Sequence, residues 1–256
     1  MRHEPLDTLI TFLQEELRAE VQVHTNPDFH YLQCNELPYD LIYITQSPPK
    51  GDFHSEKKLI TIDAIVFQHA AQKIFDRLKV QAGLARRIYA RETVVVRIDK
   101  RIAVNFLDEY HLQSSLPGKY RYGLYYQGEL FAVAVFSGAR IMRDISDSHR
   151  SFELLRFCQK SNYIVVGGLS KLLKEFIREF QPQDIMTYAD LSWTQESSLQ
   201  KLGFKIKGKL PAQKFWWDGC ILRPIKSDEE EKELKAQNPQ GHLIHSNGSI
   251  KMVLDL

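Results

Sequence analysis

The sequence predicts an α/β (α+β) protein: a mixed, mostly antiparallel sheet flanked by helices, preceded by a small α/β region. Three features carry that expectation. Two β-rich runs, Arg121–Tyr126 and Glu129–Phe136, are separated only by Gln127-Gly128, the spacing of a hairpin. Leu169, Leu172, Leu173, Phe176, Ile177 and Phe180 recur every three or four residues, with Lys171, Lys174, Glu175, Arg178 and Glu179 on the opposite face of a helix. Gly167-Gly168 joins that helix to the apolar run Ile164–Val166, giving strand, tight turn and helix in succession.

The remaining elements follow along the chain. Leu6, Leu9, Ile10, Leu13 and Leu17 mark an N-terminal helix, and residues 37–46 alternate as a half-buried strand would. Ser47-Pro48-Pro49-Lys50-Gly51-Asp52 interrupts regular structure. Leu59–Ile62 reads as a strand, followed by a helix from Ala64 to Gln81 that stops near Gly83. Glu92–Ile98 is strand-like, and Ile102, Ala103, Phe106, Leu107 and Tyr110 form a helix face ending at His111. Ser151–Gln159 and Asp184–Ala189 are further strands. Ser197–Leu202 is a short helix stopped by Gly203. Phe204–Lys209 and Phe215–Arg223 read as a last pair of strands, then a charged helix and loop from Ser227 to Gln240 and an edge strand in His242–Leu256. The change of texture near Ile88 divides the chain into residues 1–87 and 88–256.

The 256 residues are 43% hydrophobic and 26% charged, with no apolar run of membrane-spanning length. Met1-Arg2-His3-Glu4-Pro5 places charge and proline where a secretory leader needs an apolar stretch, so a cytoplasmic location is expected. Cys34, Cys158 and Cys220 are too widely spaced for a thiolate metal site and read as buried free thiols. His24, His30, His54 and His69 lack metal-ligand spacing, and no metal is expected. The net charge of +2 is unevenly distributed: residues 71–101 hold nine Lys/Arg against three acids, and residues 205–226 hold six against Asp218. Each stretch is open to two readings, a contact surface for DNA or a solvated face.

The turn into the helix offers unpaired backbone N–H groups where the helix dipole adds about half a positive charge. The candidate anion-binding residues are therefore Val165, Val166, Gly167, Gly168, Leu169, Ser170 and Lys171. Two glycines before a helix also serve simply as a tight turn. Neither the phosphate-loop GK[ST] ending nor the dinucleotide GxGxxG pattern is present.

Gly168-Leu169-Ser170-Lys171-Leu172-Leu173 resembles the pyrophosphate loop of GCN5-related N-acyltransferases. Ser198-Leu199-Gln200-Lys201-Leu202-Gly203-Phe204, thirty residues on, resembles their second signature, a small helix ending in Leu-Gly-Phe. The resemblance implies acetyl-coenzyme A or a related acyl donor, cradled by the first element. The aromatic acid that often protonates the leaving thiolate in that superfamily falls at Gln200, which cannot transfer a proton.

A second resemblance spans residues 87–256. Arg87–Arg91, Phe106–Gln113, Gly123–Glu129, Glu153–Cys158, Val165–Leu173, Tyr188-Ala189-Asp190, Trp193, Leu202-Gly203-Phe204 and Ile244–Leu254 are similar to the C-terminal domain of bacteriophage homing-endonuclease-like proteins. It implies an acyltransferase-like fold, distantly similar to phage enzymes that modify adenine in DNA. Upstream, that family carries a nuclease domain related to very-short-patch repair enzymes, and residues 59–83 look like a worn version of its last strand and helix. Such a nuclease needs paired acids and a lysine around a divalent metal. Asp40 supplies one carboxylate, but the following strand reads Ser47-Pro48-Pro49-Lys50, which implies lost nuclease chemistry.

Three polar residues enter as catalytic candidates. Asp190, on a strand edge beside the implied acyl-carrier cleft, is placed to orient or deprotonate an amine, or else caps the turn before Trp193. Tyr188 lies two residues earlier on the same face. His111 is a base near neutral pH, or a helix-terminal cap. Trp193, Trp216 and Trp217 either stack a base or pack the core. The function expected is acyl-coenzyme A-dependent N-acyl transfer to a nucleobase or other amine. The alternative is a non-catalytic DNA-binding accessory module.

Overall fold

The structure is a computed structural model and describes residues 4–49, 55–193, 196–219 and 222–256. Lys50, Gly51, Asp52, His54 and Cys220 lie outside the described residues. By compactness the chain forms two units, each discontinuous: Met1–Ala71, Ala189–Gln195 and Lys209–Ile250, and then Gln72–Tyr188, Glu196–Gly208 and Lys251–Leu256.

In the first unit, helix α1 (Glu4–Glu15) buries Leu6, Leu9, Phe12 and Leu13 on one face. Strands β1 (Val21–Thr25), β2 (Phe29–Cys34), β3 (Tyr39–Ile44) and β4 (Lys58–Asp63) make a sheet in that order. The first two pairings are antiparallel and β3 with β4 is parallel. All six residues of β3 are buried, not alternate ones, because the strand is central and covered on both faces. Asp40 is the buried acid on β3. Its carboxylate accepts from the Tyr31 hydroxyl (2.7 Å), the Cys34 amide (3.0 Å) and the Ser55 hydroxyl (2.7 Å). Those bonds outweigh burial and hold its pKa below the usual carboxylate value. Helix α2 (Ala64–Gln81) follows, broken at Ala70 (φ −138°, ψ 29°).

The second unit begins its strands with β5 (Arg86–Tyr89) and β6 (Val94–Arg97), then helix α3 (Lys100–Tyr110), capped by the Asp99 side chain. The hairpin is β7 (Tyr120–Tyr126) and β8 (Glu129–Phe136). Gln127 (φ 50°) and Gly128 (φ 83°) both take the left-handed conformation a two-residue turn of this kind requires. After β9 (Arg140–Ile141) come β10 (Arg150–Gln159), β11 (Tyr163–Val166), helix α4 (Gly168–Phe180), β12 (Asp184–Asp190), helix α5 (Glu196–Gln200) and β13 (Lys205–Leu210). Gly203 (φ 93°) turns the chain after α5, as its position in the sequence predicts. The chain then returns to the first unit for β14 (Lys214–Trp217), β15 (Leu222–Ile225), α6 (Asp228–Gln237) and β16 (His242–His245), and ends with β17 (Ser249–Asp255), most of which belongs to the second.

The large sheet runs β13-β17-β12-β10-β8-β7-β6, with β9 on β10, and its hairpin-linked pairs are antiparallel. Helices cover both faces. Ala103, Phe106 and Leu107 of α3 pack with Val133, Val135 and Cys158. Phe176 of α4 stacks on Phe136, ring centroids 3.9 Å apart, and meets Tyr120, Tyr122 and Phe152 edge-on. This double cover explains why Phe131–Phe136 is a continuous buried run.

Two expectations are corrected. Of the His242–Leu256 segment expected as an edge strand, β16 does end its three-stranded sheet, but β17 sits between β13 and β12 in the interior of the large one. The strands around residues 204–209 and 215–223 belong to different sheets, for β14 pairs with β15 and β16. Of the two readings open for the tryptophans, packing holds for Trp193 and Trp216, which are buried.

Candidate ligand-binding site

Within the second unit, β10 and β12 run parallel and pair as Ser151–Asp184, Phe152–Ile185 and Glu153–Met186. Both strands continue beyond this point. β10 bulges between Leu154 and Arg156 on its β8 side, and the last link to β12 is the Thr187 hydroxyl donating to the Leu154 carbonyl at 2.9 Å.

The chain leaves β10, turns at Asn162, and runs along β11, which pairs in parallel with β5 from Tyr163–Arg86 to Val166–Tyr89. Gly167 then takes φ 77°, a left-handed conformation that glycine adopts without strain, and α4 starts at Gly168. A Cβ on Gly168 would lie 3.0 Å from Val165 Cβ and 3.1 Å from Leu124 Cδ1, so this glycine permits a close approach of turn to sheet. Among the described residues, no side chain caps the first turn of α4. Its leading N–H groups have no partner within the helix, and the dipole adds positive potential there.

The seven residues proposed from the sequence divide into two groups. Gly167, Gly168, Leu169 and Ser170 form the turn and the uncapped first turn of the helix, and Val166 is exposed beside them. Val165 is buried, and its amide donates to Gln159 Oε1 at 2.6 Å, so that donor is spent inside the fold. Lys171 donates to the Ala90 carbonyl at 2.7 Å and to the Thr93 carbonyl. Its ammonium thus pins α4 to the segment before β6. No pattern in the sequence links Lys171 to Ala90, because that contact joins segments some eighty residues apart, brought together where β11 pairs with β5.

The catalytic candidates lie apart from one another in their local roles. Tyr188 is 42% exposed on β12, beyond the last β10–β12 pair, and Asp190 ends that strand. Asp190 Oδ1 accepts the Ser192 amide at 2.9 Å and its carbonyl accepts the Trp193 amide, so it holds the turn that follows. His111 is the C-cap of α3: its amide donates to the Leu107 carbonyl and its Nδ1 accepts the Gln113 amide at 3.0 Å. Burial, then the nearby Arg156, Arg77 and Lys73, push its pKa down to about 4. A ring so disfavoured as a cation is a weak base at neutral pH. Cys158, buried, has its thiol pushed up to about 12, chiefly by that burial, and is unreactive.

No family model matches the chain, and no curated protein matches it. Solved structures that resemble it include a Bacillus subtilis acetyltransferase in complex with CoA, 17% identical, covering 64% of this chain and 99% of that one with a TM-score of 0.39. A GNAT family acetyltransferase from Elizabethkingia anophelis with acetyl-CoA bound is 13% identical, with coverages of 64% and 99% and a TM-score of 0.39. The ribosomal-protein-S18-alanine N-acetyltransferase from Escherichia coli is 13% identical, with coverages of 64% and 93% and a TM-score of 0.40. Among the described residues, no helix is long and apolar enough to cross a membrane.

Proposed function

We propose that this protein binds acetyl-coenzyme A or a related acyl-coenzyme A at the start of α4 and transfers the acyl group to an amine, a nucleobase amine included. The observation that supports this most is the uncapped first turn of α4 behind left-handed Gly167, on the chain that leaves β10 after its pairing with β12 stops. The amides from Gly168 to Ser170 suit a pyrophosphate, and the Ser170 hydroxyl adds a further donor. When bound, the thioester supplies an acyl carbonyl open to attack by an amine. This chain's own residues must then accept a proton from the amine and deliver one to the departing sulfur. Tyr188 and Asp190 are the groups assigned to those tasks, since Gln200 has no proton to transfer. His111 is left with capping α3.

Ser170→Asp tests the donor site. An acid at the third helical position is favoured by the dipole, so the variant keeps its fold while setting a negative charge against the pyrophosphate. Titration with acetyl-coenzyme A should show binding to the parent protein and at least a roughly tenfold loss in the variant, with an unchanged or higher melting temperature. No binding by the parent, or equal binding by both, would overturn the reading.

A second reading, a DNA-binding accessory module without catalysis, is favoured by the exposed Arg86, Arg87 and Arg91 and by the lysines of β13. Salt-sensitive duplex binding with no coenzyme affinity would select it.

A further inference from the structure

A cavity of about 590 Å³ opens at the opposite end of β11 from Gly167. Four residue steps separate Tyr163 from Gly167, about 13 Å of extended chain. Its wall is built by Lys79 of α2, Arg86 of β5, Lys160 and Asn162 of the turn after β10, and by Leu84 and Tyr163. The lining contains three cations and no carboxylate. Lys160 shares its charge with Glu129, whereas Arg86 donates to a neutral acceptor, the Tyr163 phenol, at 3.5 Å. Three cations from separate segments on one lining, of which Glu129 joins Lys160, make a positive surface that attracts an anion.

The rest of the wall says what kind of anion. Leu84 is 59% exposed beside Gly83, and Tyr163, whose ring meets Phe131 edge-on at 4.9 Å, belongs to the same lining. An apolar and aromatic surface beside positive charge suits an aromatic base carrying a phosphate. The volume lies within the roughly 300–1,000 Å³ of small-molecule sites and far exceeds what a bare phosphate fills. The lining is also held in place. Asn162 takes φ 63°, unfavourable for a residue with a side chain, and its carbonyl accepts the Arg86 amide at 2.9 Å, fixing the turn to the start of β5.

We propose that this cavity is a nucleotide-phosphate site, with Arg86 and Lys79 facing the phosphate and Leu84 and Tyr163 facing the base. It is separate from the α4 turn and does not rest on the acyl-donor reading. The phosphate belongs either to a free nucleotide or to a nucleic-acid strand.

The full-length chain is titrated with 5′-AMP, inorganic phosphate and a short single-stranded oligonucleotide at low and high salt. AMP should bind, more tightly than inorganic phosphate and more weakly as salt rises. Arg86→Gln and Leu84→Glu, both at exposed positions, should each weaken AMP at least tenfold with unchanged melting, and Ser170→Asp should leave it unaltered. If the oligonucleotide binds tighter than AMP and loses the same factor in Arg86→Gln, the source is a strand; if the two bind equally, it is a free nucleotide. Both support the site. Absence of AMP and oligonucleotide binding at millimolar concentration, or parent-like binding by both cavity variants, would overturn it. Failure of acetyl-coenzyme A to bind leaves these outcomes untouched.

Discussion

Asp63 shows how one carboxyl at a strand-to-helix junction can set a pH dependence. It ends β4 and caps α2, accepting the Ile65 amide at 2.8 Å and the Val66 amide at 3.4 Å. Burial nonetheless dominates over these bonds and raises its pKa from 3.8 to about 6. The folded state therefore holds the Asp63 proton to higher pH than the unfolded chain does. Its contribution to stability is fully present below about pH 4 and is lost as pH rises through about 6. Asparagine keeps the cap without ionising. Asp63→Asn should thus raise stability at about pH 8 by on the order of 2 kcal/mol and change little at about pH 4. Chemical denaturation at the two pH values checks this, and a variant less stable at the higher pH would contradict it. His111 has the opposite sign. Its pKa of about 4 means that folding is progressively penalised as pH falls from about 6.5 towards 4.

Among elements, α4 shows local signals agreeing with tertiary structure. Its apolar stripe places Leu172, Leu173 and Phe176 in the core, and its observed span starts one residue before the first leucine of that stripe. Its end, however, carries strain. Gln181 is the C-cap at φ 46° and ψ 56°, with its amide donating to the Ile177 carbonyl at 2.9 Å. Glycine is the residue that meets this geometry without a Cβ penalty. Gln181→Gly should stabilise the fold by about 0.5–1 kcal/mol, read as a higher denaturant midpoint at unchanged slope. An equal or lower midpoint would mean that added freedom in the unfolded chain outweighs the relief of strain.

For the molecule as a whole, the question is how an eight-stranded sheet avoids joining another. β13 is an end strand and all six of its residues are exposed. Lys205, Lys207 and Lys209 recur at every second position, so they share one face of the strand. An antiparallel copy paired about Lys207 would set lysine opposite lysine, which disfavours self-pairing. The contacts of Lys205 and Lys207 with Asp255, at 3.3 and 3.7 Å, are solvent-exposed and add little to stability. Replacing the three lysines by valine should produce larger species in sedimentation velocity at concentrations where the parent distribution is unchanged. An identical distribution would show that this edge is protected by something else.

Periodicity and turn chemistry by themselves determined the hairpin at Gln127-Gly128, the helices α2, α3 and α4, the acidic α6 and the glycine turn before α4. Each depends on interactions within a few residues, and its signal lies in adjacent letters. Residues 21–34 gave no strand signal, although β1 and β2 are there: β1 exposes most of its residues, and β2 buries His30, Leu32 and Cys34 while Phe29 and Tyr31 lie on its less buried face, so polarity does not alternate with burial. Only tertiary structure decided which strands pair. β11 finds β5 from far upstream, β17 inserts into the sheet interior, and both compact units are assembled from segments that return after long excursions, whereas a change of texture near Ile88 offers a single cut. The same holds for the candidate site. The sequence named the glycines, but the Val165 amide is spent on a side chain six residues back, and the tethered Lys171 and the basic cavity were settled by contacts across many tens of residues. Such contacts depend on which backbone edges are left open once local elements have formed, and local sequence does not encode that.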